Sequence, residues 1–209
     1  MTAPSAQDIL FFWFGARPYT PAHLLQHSRL WFGGPDAPEV TPQTDELIRE
    51  RYGELALAAE QGRLASWESS PRRRLALILL LDQFSRNIYR GSAHAYAQDL
   101  QALSLTVSGM QIGADATLDP VERLFFYMPL MHAESLDVQE ESVAAFRRLV
   151  EESPADLRRT FQANLDSAVQ HRDIIQRFGR FPHRNRVLGR DSTPEELEWL
   201  EHDGAKFGQ

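Results

Sequence analysis

The chain has 209 residues, a formal net charge of −7, 43% hydrophobic and 24% charged residues, and no cysteine. That balance is ordinary for a globular protein long enough to bury a core, and the missing cysteine excludes disulfides, zinc–thiolate sites, iron–sulfur clusters and cysteine nucleophiles. The longest apolar runs, Leu75–Leu81 and Leu124–Met131, fall far short of the ~20 residues of a membrane helix. No basic residue precedes Arg17 and no small-residue cleavage pattern follows, so a soluble, cytoplasmic protein without a membrane partner is expected.

The predicted elements are all helices. Ser5 with Asp8 opens a helix over 5–14 that Gly15 stops, and a second covers 21–31. Thr41-Pro42 opens 42–61, ended by Gly62. Ser70-Pro71 opens 71–90, ended by Gly91, and Ser92 opens 92–111. Asp119-Pro120 opens 120–132, and 137–152 follows. Ser153-Pro154 opens 154–179, with Gly179 as a left-handed stop, and Thr193 with Glu196 forms a capping box for 194–202. A capping oxygen ahead of a proline satisfies one orphan N–H and removes another, and glycine closes a helix at low steric cost. No stretch alternates convincingly with period two. Nine helices on short connections predict an all-α fold of antiparallel pairs in one compact domain, 1–209. Pairs recur at about 40-residue spacing, a hint of helical-repeat architecture.

Polar groups fall on helices that otherwise read as buried. The helix over 71–90 is apolar all round at Leu75–Leu81, then presents Asp82, Gln83, Arg86, Asn87 and Arg90 in one arc. Asp82 and Arg86, four apart, are placed to pair. This arc is either the wet end of the helix or one wall of a site. On the helix over 154–179, Leu157, Phe161, Leu165, Ala168 and Ile175 form a stripe that puts Arg172 in its middle and His171 beside it. An inward arginine must be paired, and Glu134 and Asp82 are the candidate partners. The result is either an internal salt bridge or an arginine lining a closed pocket.

Pro129 predicts a kink or break just before His132 and Glu134, where freed carbonyls make a polar niche or simply a helix end. The run 171–190 carries six arginines and two histidines against one acid, Asp173. Within it, Gly179 and Pro182 constrain the loop Phe178–Asn185, so its polar tips are positioned rather than loose.

Familiar chemical motifs fail. His132-Ala133-Glu134 lacks the cysteines of a zinc deaminase, and His171-Arg172-Asp173 has none of the other kinase elements. There is no H-E-x-x-H, G-x-S-x-G, P-loop or dinucleotide fingerprint. A His132/Glu134/His171 metal set is conceivable by ligand type, but it lacks an i,i+4 pair. No metal and no cofactor is assigned.

The segments LDQFSRNIYRG (81–91), FYMPLMHAES (126–135) and HRDIIQRFGRFPHRNRVLGRDSTPEE (171–196), with DILFFWFG and WFGG near the N-terminus, resemble the bacterial family known as domain of unknown function 924. The likeness covers nearly the whole chain. Its motif positions correspond here to Asp82, Gln83, Arg86, Asn87, His132, Glu134, His171, Arg172, Arg177, Arg180, Phe181, Pro182, His183, Arg184 and Asn185. The resemblance implies an all-helical fold of the tetratricopeptide-like (TPR-like) superfamily, a right-handed helical array, and no particular activity.

Three functions fit these residues. The first is a pocket for a small anionic metabolite, with Asp82, Gln83, Arg86, Asn87, Arg172, Arg180, His183, Arg184 and Asn185 as ligand-binding groups. There His132, Glu134 and His171 are candidates for acid–base catalysis, such as hydrolysis or isomerisation; whether the protein is an enzyme stays open. The second is a helical-repeat module that binds a protein or peptide partner, its polar cluster being structural. The third, nucleic-acid binding through the arginine-rich run, is disfavoured by the acidic net charge and the inward phase of Arg172.

Overall fold

The computed structural model describes residues 4–33 and 40–202, and among them every regular element is helical. The elements are α1 (Ala6–Phe14), α2 (Pro21–Phe32), α3 (Val40–Glu60), α4 (Pro71–Leu79), α5 (Ser85–Ile88), α6 (Asp99–Gln111), α7 (Pro120–Met131), α8 (Leu136–Glu152), α9 (Arg158–Phe178) and α10 (Pro194–His202). A π turn, Leu80–Phe84, joins α4 to α5, so the two continue as one rod. No helix among the described residues is long and apolar enough to cross a membrane.

Most starts follow their caps. Ser5 and Asp8 form a capping box, as do Asp119 and Glu122. At α10 the Thr193 N–H donates to Glu196 at 2.7 Å, and the Glu196 N–H donates to Thr193 Oγ1 at 3.2 Å. Gly179 ends α9 at φ +70°. Three expectations shift. α3 begins at Val40, ahead of Thr41-Pro42. The helix expected over 92–111 splits into a short 3₁₀ turn, Ala93–Tyr96, and α6. The helix expected from Pro154 begins at Arg158, because the Ser153 hydroxyl donates back to the Leu149 carbonyl instead of capping forward.

The α4–π–α5 rod is the axis of the core. Leu75 through Leu81 are each at most 3% exposed, as a helix apolar on all sides requires. α1, α6 and α7 pack on α4, and α3 packs on the π turn and α5. α7, α8 and α9 pack in sequential order, whereas α1 meets α4, which is remote in sequence. Trp13, Phe84 and Phe125 interlock, with ring centroids 5.3 Å and 5.6 Å from Trp13. α6 closes on α7 at Gly109, where an added Cβ would lie 2.6 Å from the Phe126 ring and 2.9 Å from Arg74 Cδ. A second, smaller apolar cluster of Ile174, Ile175, Phe181 and Trp199 docks α10 and the preceding loop onto α9.

Candidate functional site

A cavity of about 350 Å³ opens among the end of α2, the π turn and α5, the C-terminal half of α7, the middle of α9 and the 3₁₀ turn Pro182–Arg184. Its volume falls in the range of small-molecule sites. Arg86, Arg90 and Arg184 line it together with His132, His171 and His183, while no carboxylate among the described residues does. The carboxylates sit one layer behind. Asp45 accepts from Arg90 at 2.6 and 2.9 Å and from Asn87 at 2.8 Å. Asp82 takes Arg86 at 2.9 Å, and Asp99 takes both Arg86 at 3.0 Å and Arg184 at 3.3 Å. Each guanidinium is therefore anchored from behind.

The π turn supplies the innermost carboxylate. The Ser85 N–H donates to the Leu80 carbonyl, five residues back, which breaks the ordinary helical phase at Asp82 and Gln83. Asp82 is fully buried and gathers three partners: Arg86, His132 Nδ1 at 2.7 Å and Gln83 Nε2 at 2.5 Å. Burial alone would raise the Asp82 carboxyl, but Arg86 and His132 beside it hold it well below the usual range. An ionised carboxylate only accepts, so His132 Nδ1 carries the proton and Nε2 keeps its lone pair. Burial, with Arg86 adding to it, pushes His132 down, so the imidazole is neutral near neutral pH. A neutral histidine oriented by a buried aspartate is the arrangement of a general base.

Arg184 is clamped in place. Its guanidinium carbon lies 4.7 Å from the Tyr96 ring centroid and 4.5 Å from that of Phe181. Both hydrogen bonds leave from Nη1, to Asp99 at 3.3 Å and to the His132 carbonyl at 3.1 Å. Nε is buried and has no hydrogen-bond partner among the described residues. The Nε–Nη2 edge is the fork that grips a carboxylate or phosphate with two parallel bonds.

α9 lends Asn164, Ser167 and His171 to the wall. His171 Nδ1 donates to the Ser167 carbonyl at 2.8 Å, and burial pushes the imidazole down to about 3. His183 is likewise pushed down by burial, to about 4. Asn164 Oδ1 is buried without a hydrogen-bond partner among the described residues.

Of the residues expected from sequence, Gln83, Arg86, Asn87, His132, His171, His183 and Arg184 line the cavity, and Asp82 supports it from behind. Four lie elsewhere. Arg172 is not inward: it sits at the α8–α9 surface and pairs with Glu140 at 3.0 Å and Asp173 at 2.7 Å, rather than with Glu134 or Asp82. Glu134 turns away from His132, binding Arg190 at 2.6 and 3.0 Å and the Phe181 N–H at 2.8 Å. Arg180 grips Glu196 at 2.7 and 2.8 Å and holds that carboxyl down at about 2. Asn185 joins Glu196 and Ser192. These last three staple the C-terminal loop and α10 to the body of the protein. Among the described residues no three His, Asp or Glu side chains converge as metal ligands.

Pro129 lies inside α7, which runs on to Met131. The carbonyls at that end are taken up, with Gln139 Nε2 donating to Met131 at 2.7 Å and Ala133 at 2.8 Å and Arg184 donating to His132. The arginine-rich run is answered from inside as well: Arg172, Arg177, Arg180, Arg184 and Arg190 all pair with carboxylates of this chain. Sequence reading passed over Tyr96, Asp99, Asp45 and Asn164. Asp45 and Asp99 sit at unremarkable helix positions, and only their distance to Arg90, Arg86 and Arg184 reveals their role.

Fold and cavity together define an all-helical protein with an arginine- and histidine-lined pocket backed by buried carboxylates. The chain belongs to the bacterial family of proteins of unknown function DUF924, which it matches over residues 9–204. It is similar to the solved structure of ATU0120, a protein of unknown function from Agrobacterium tumefaciens, at 35% identity over 94% of this chain and 96% of that one, with a TM-score of 0.76. No curated protein matches it.

Proposed function

We propose that the cavity binds a small organic anion through Arg184 and that His132, oriented by Asp82, acts on it as general base. The observation that carries this reading is the clamped Arg184, whose Nη1 is bonded while its buried Nε has no hydrogen-bond partner among the described residues. A buried donor without a partner is costly, and an anion with two oxygens would satisfy that edge. Arg86 and Arg90, with their carboxylates turned away from the cavity, add to the positive wall. His132 Nε2 would accept a proton from water or from a hydroxyl of the ligand, with Asp82 stabilising the imidazolium that forms. Hydrolysis and isomerisation are the reactions this pair serves. We take the chain as one domain, its sequential helices arranged in the TPR-like manner, working in the cytoplasm.

Calorimetric titration with inorganic phosphate and with acetate tests the binding step. Both should bind the wild type, and Arg184→Lys, which keeps the charge but loses the fork, should weaken them about tenfold or more. Equal binding to the two proteins would overturn the reading.

A further inference from the structure

We infer that the anion carries an apolar body, a short acyl chain or a single ring, seated against Trp31, Phe32, Met128 and Met131. This deepens the reading above and rests on it. Phosphate or acetate held at Arg184 would fill only a small part of about 350 Å³. The remaining wall is polar where α5 and α9 bring Asn87, Asn164, Ser167 and His171, and apolar on one side. α2 brings Trp31 and a half-exposed Phe32, and α7 brings Met128 and Met131, both buried, just ahead of His132, which caps that helix.

Their roles differ. Trp31 is fixed, its indole N–H donating to the Trp13 carbonyl at 2.8 Å and its ring 4.8 Å from Phe125. Methionine is unbranched and adapts to the shape of what it meets, so the pair from α7 forms the adjustable side. Met128 also touches the polar layer, its sulfur accepting from Gln83 Nε2 at 3.2 Å. A wall that is cationic at Arg184 and apolar at α2 and α7 fits an amphiphile with its charge at one end. A sugar phosphate or a dicarboxylate seated on that apolar side would leave polar groups against methionine and phenylalanine.

The test is a titration of acetate, propionate, butyrate, pentanoate and hexanoate, with hexylamine as the apolar probe of wrong charge. Burial of each methylene should tighten binding by up to about fourfold until the cavity is full, and hexylamine should not bind. Phe32→Ala, at a half-exposed position that spares the core, should lower the gain per methylene. Met131→Gln should do the same from the other wall. A flat series in which acetate still binds through Arg184 overturns the apolar body alone. A gain per methylene undiminished in both variants overturns its placement on this wall. If no member of the series and no phosphate binds, the anion reading itself falls.

Discussion

Arg184 Nη1 donates to the backbone carbonyl of His132 at 3.1 Å, so the proposed anion clamp is bonded to the same residue that carries the proposed base. The two belong to distant parts of the chain, the end of α7 and the 3₁₀ turn after α9. Asp99 completes the link, since it accepts from Arg184 and from Arg86, and Arg86 pairs with the Asp82 that orients His132. Clamp, base and orienting carboxylate are thus one connected network, and a change at any node reaches the others.

Asp82→Asn should destabilise the protein by about 3–5 kcal/mol, the cost of removing one member of a buried ion pair. Asp82 is fully buried and serves Arg86, His132 and Gln83 together. Urea denaturation of the variant checks the figure. A loss below about 1 kcal/mol would show that Arg86 is satisfied by Asp99 alone.

Acid should destabilise the fold through its histidines. His171 and His183 are lowered by burial from the ordinary 6.5 to about 3 and about 4. In the unfolded chain they take up protons near pH 6.5, whereas in the fold they stay neutral until far lower pH. The unfolded state therefore binds more protons across that window. Stability is complete above pH 6.5 and falls as the pH drops toward those folded values, at up to about 1.4 kcal/mol per pH unit for each histidine. His171→Gln should flatten the pH dependence of the urea midpoint in this window, and an unchanged slope would exclude His171 as a source.

Glu134→Gln should loosen the C-terminal segment, including the His183–Arg184 stretch of the cavity wall. Glu134 binds Arg190 and the Phe181 N–H, and burial, which would raise its carboxyl, is outweighed by Arg190 and that N–H. Loss of the charge should cost about 1–3 kcal/mol. Amide exchange should quicken first in 181–202, with α4 unaffected. Exchange that rises uniformly over the chain would assign Glu134 to the global core instead.

Gly109→Ala should destabilise by about 1–3 kcal/mol through overpacking. The added Cβ would meet the Phe126 ring at 2.6 Å, where α6 and α7 approach most closely. Thermal denaturation measures it. A variant as stable as the wild type would mean that α6 can retreat from α7 at little cost.

The helices were largely legible because Ser, Thr and Asp before proline mark starts by local chemistry alone. The site was legible in part. Gln83, Arg86 and Asn87 share an arc that sequence phase identifies, and it does face the cavity. Arg172 was misplaced for a physical reason. Helical phase puts Arg172 among Leu157, Phe161, Leu165, Ala168 and Ile175, but its long side chain reaches out past that stripe to Glu140 on α8. Glu134 was misassigned because adjacency to His132 along the chain does not give direction: its carboxylate faces Arg190, 56 residues on. Asp82 reads as either the wet end of a helix or part of a site wall, but the π turn and its three partners bury it behind that wall.

The order in which the chain is made has a bearing on the network around Glu134. His132 and Asp82 are synthesised well before Arg184, and the stapling pairs Glu134–Arg190 and Arg180–Glu196 need residues 180–196. On a ribosome, the helical body would assemble around α4 while the arginine clamp was still missing. A chain cut short after α9 would keep His132 and Asp82 but lack Arg184, the proposed anion clamp. Under the proposed function, competence to bind would follow only once the segment that carries Arg184 has docked on the helical body.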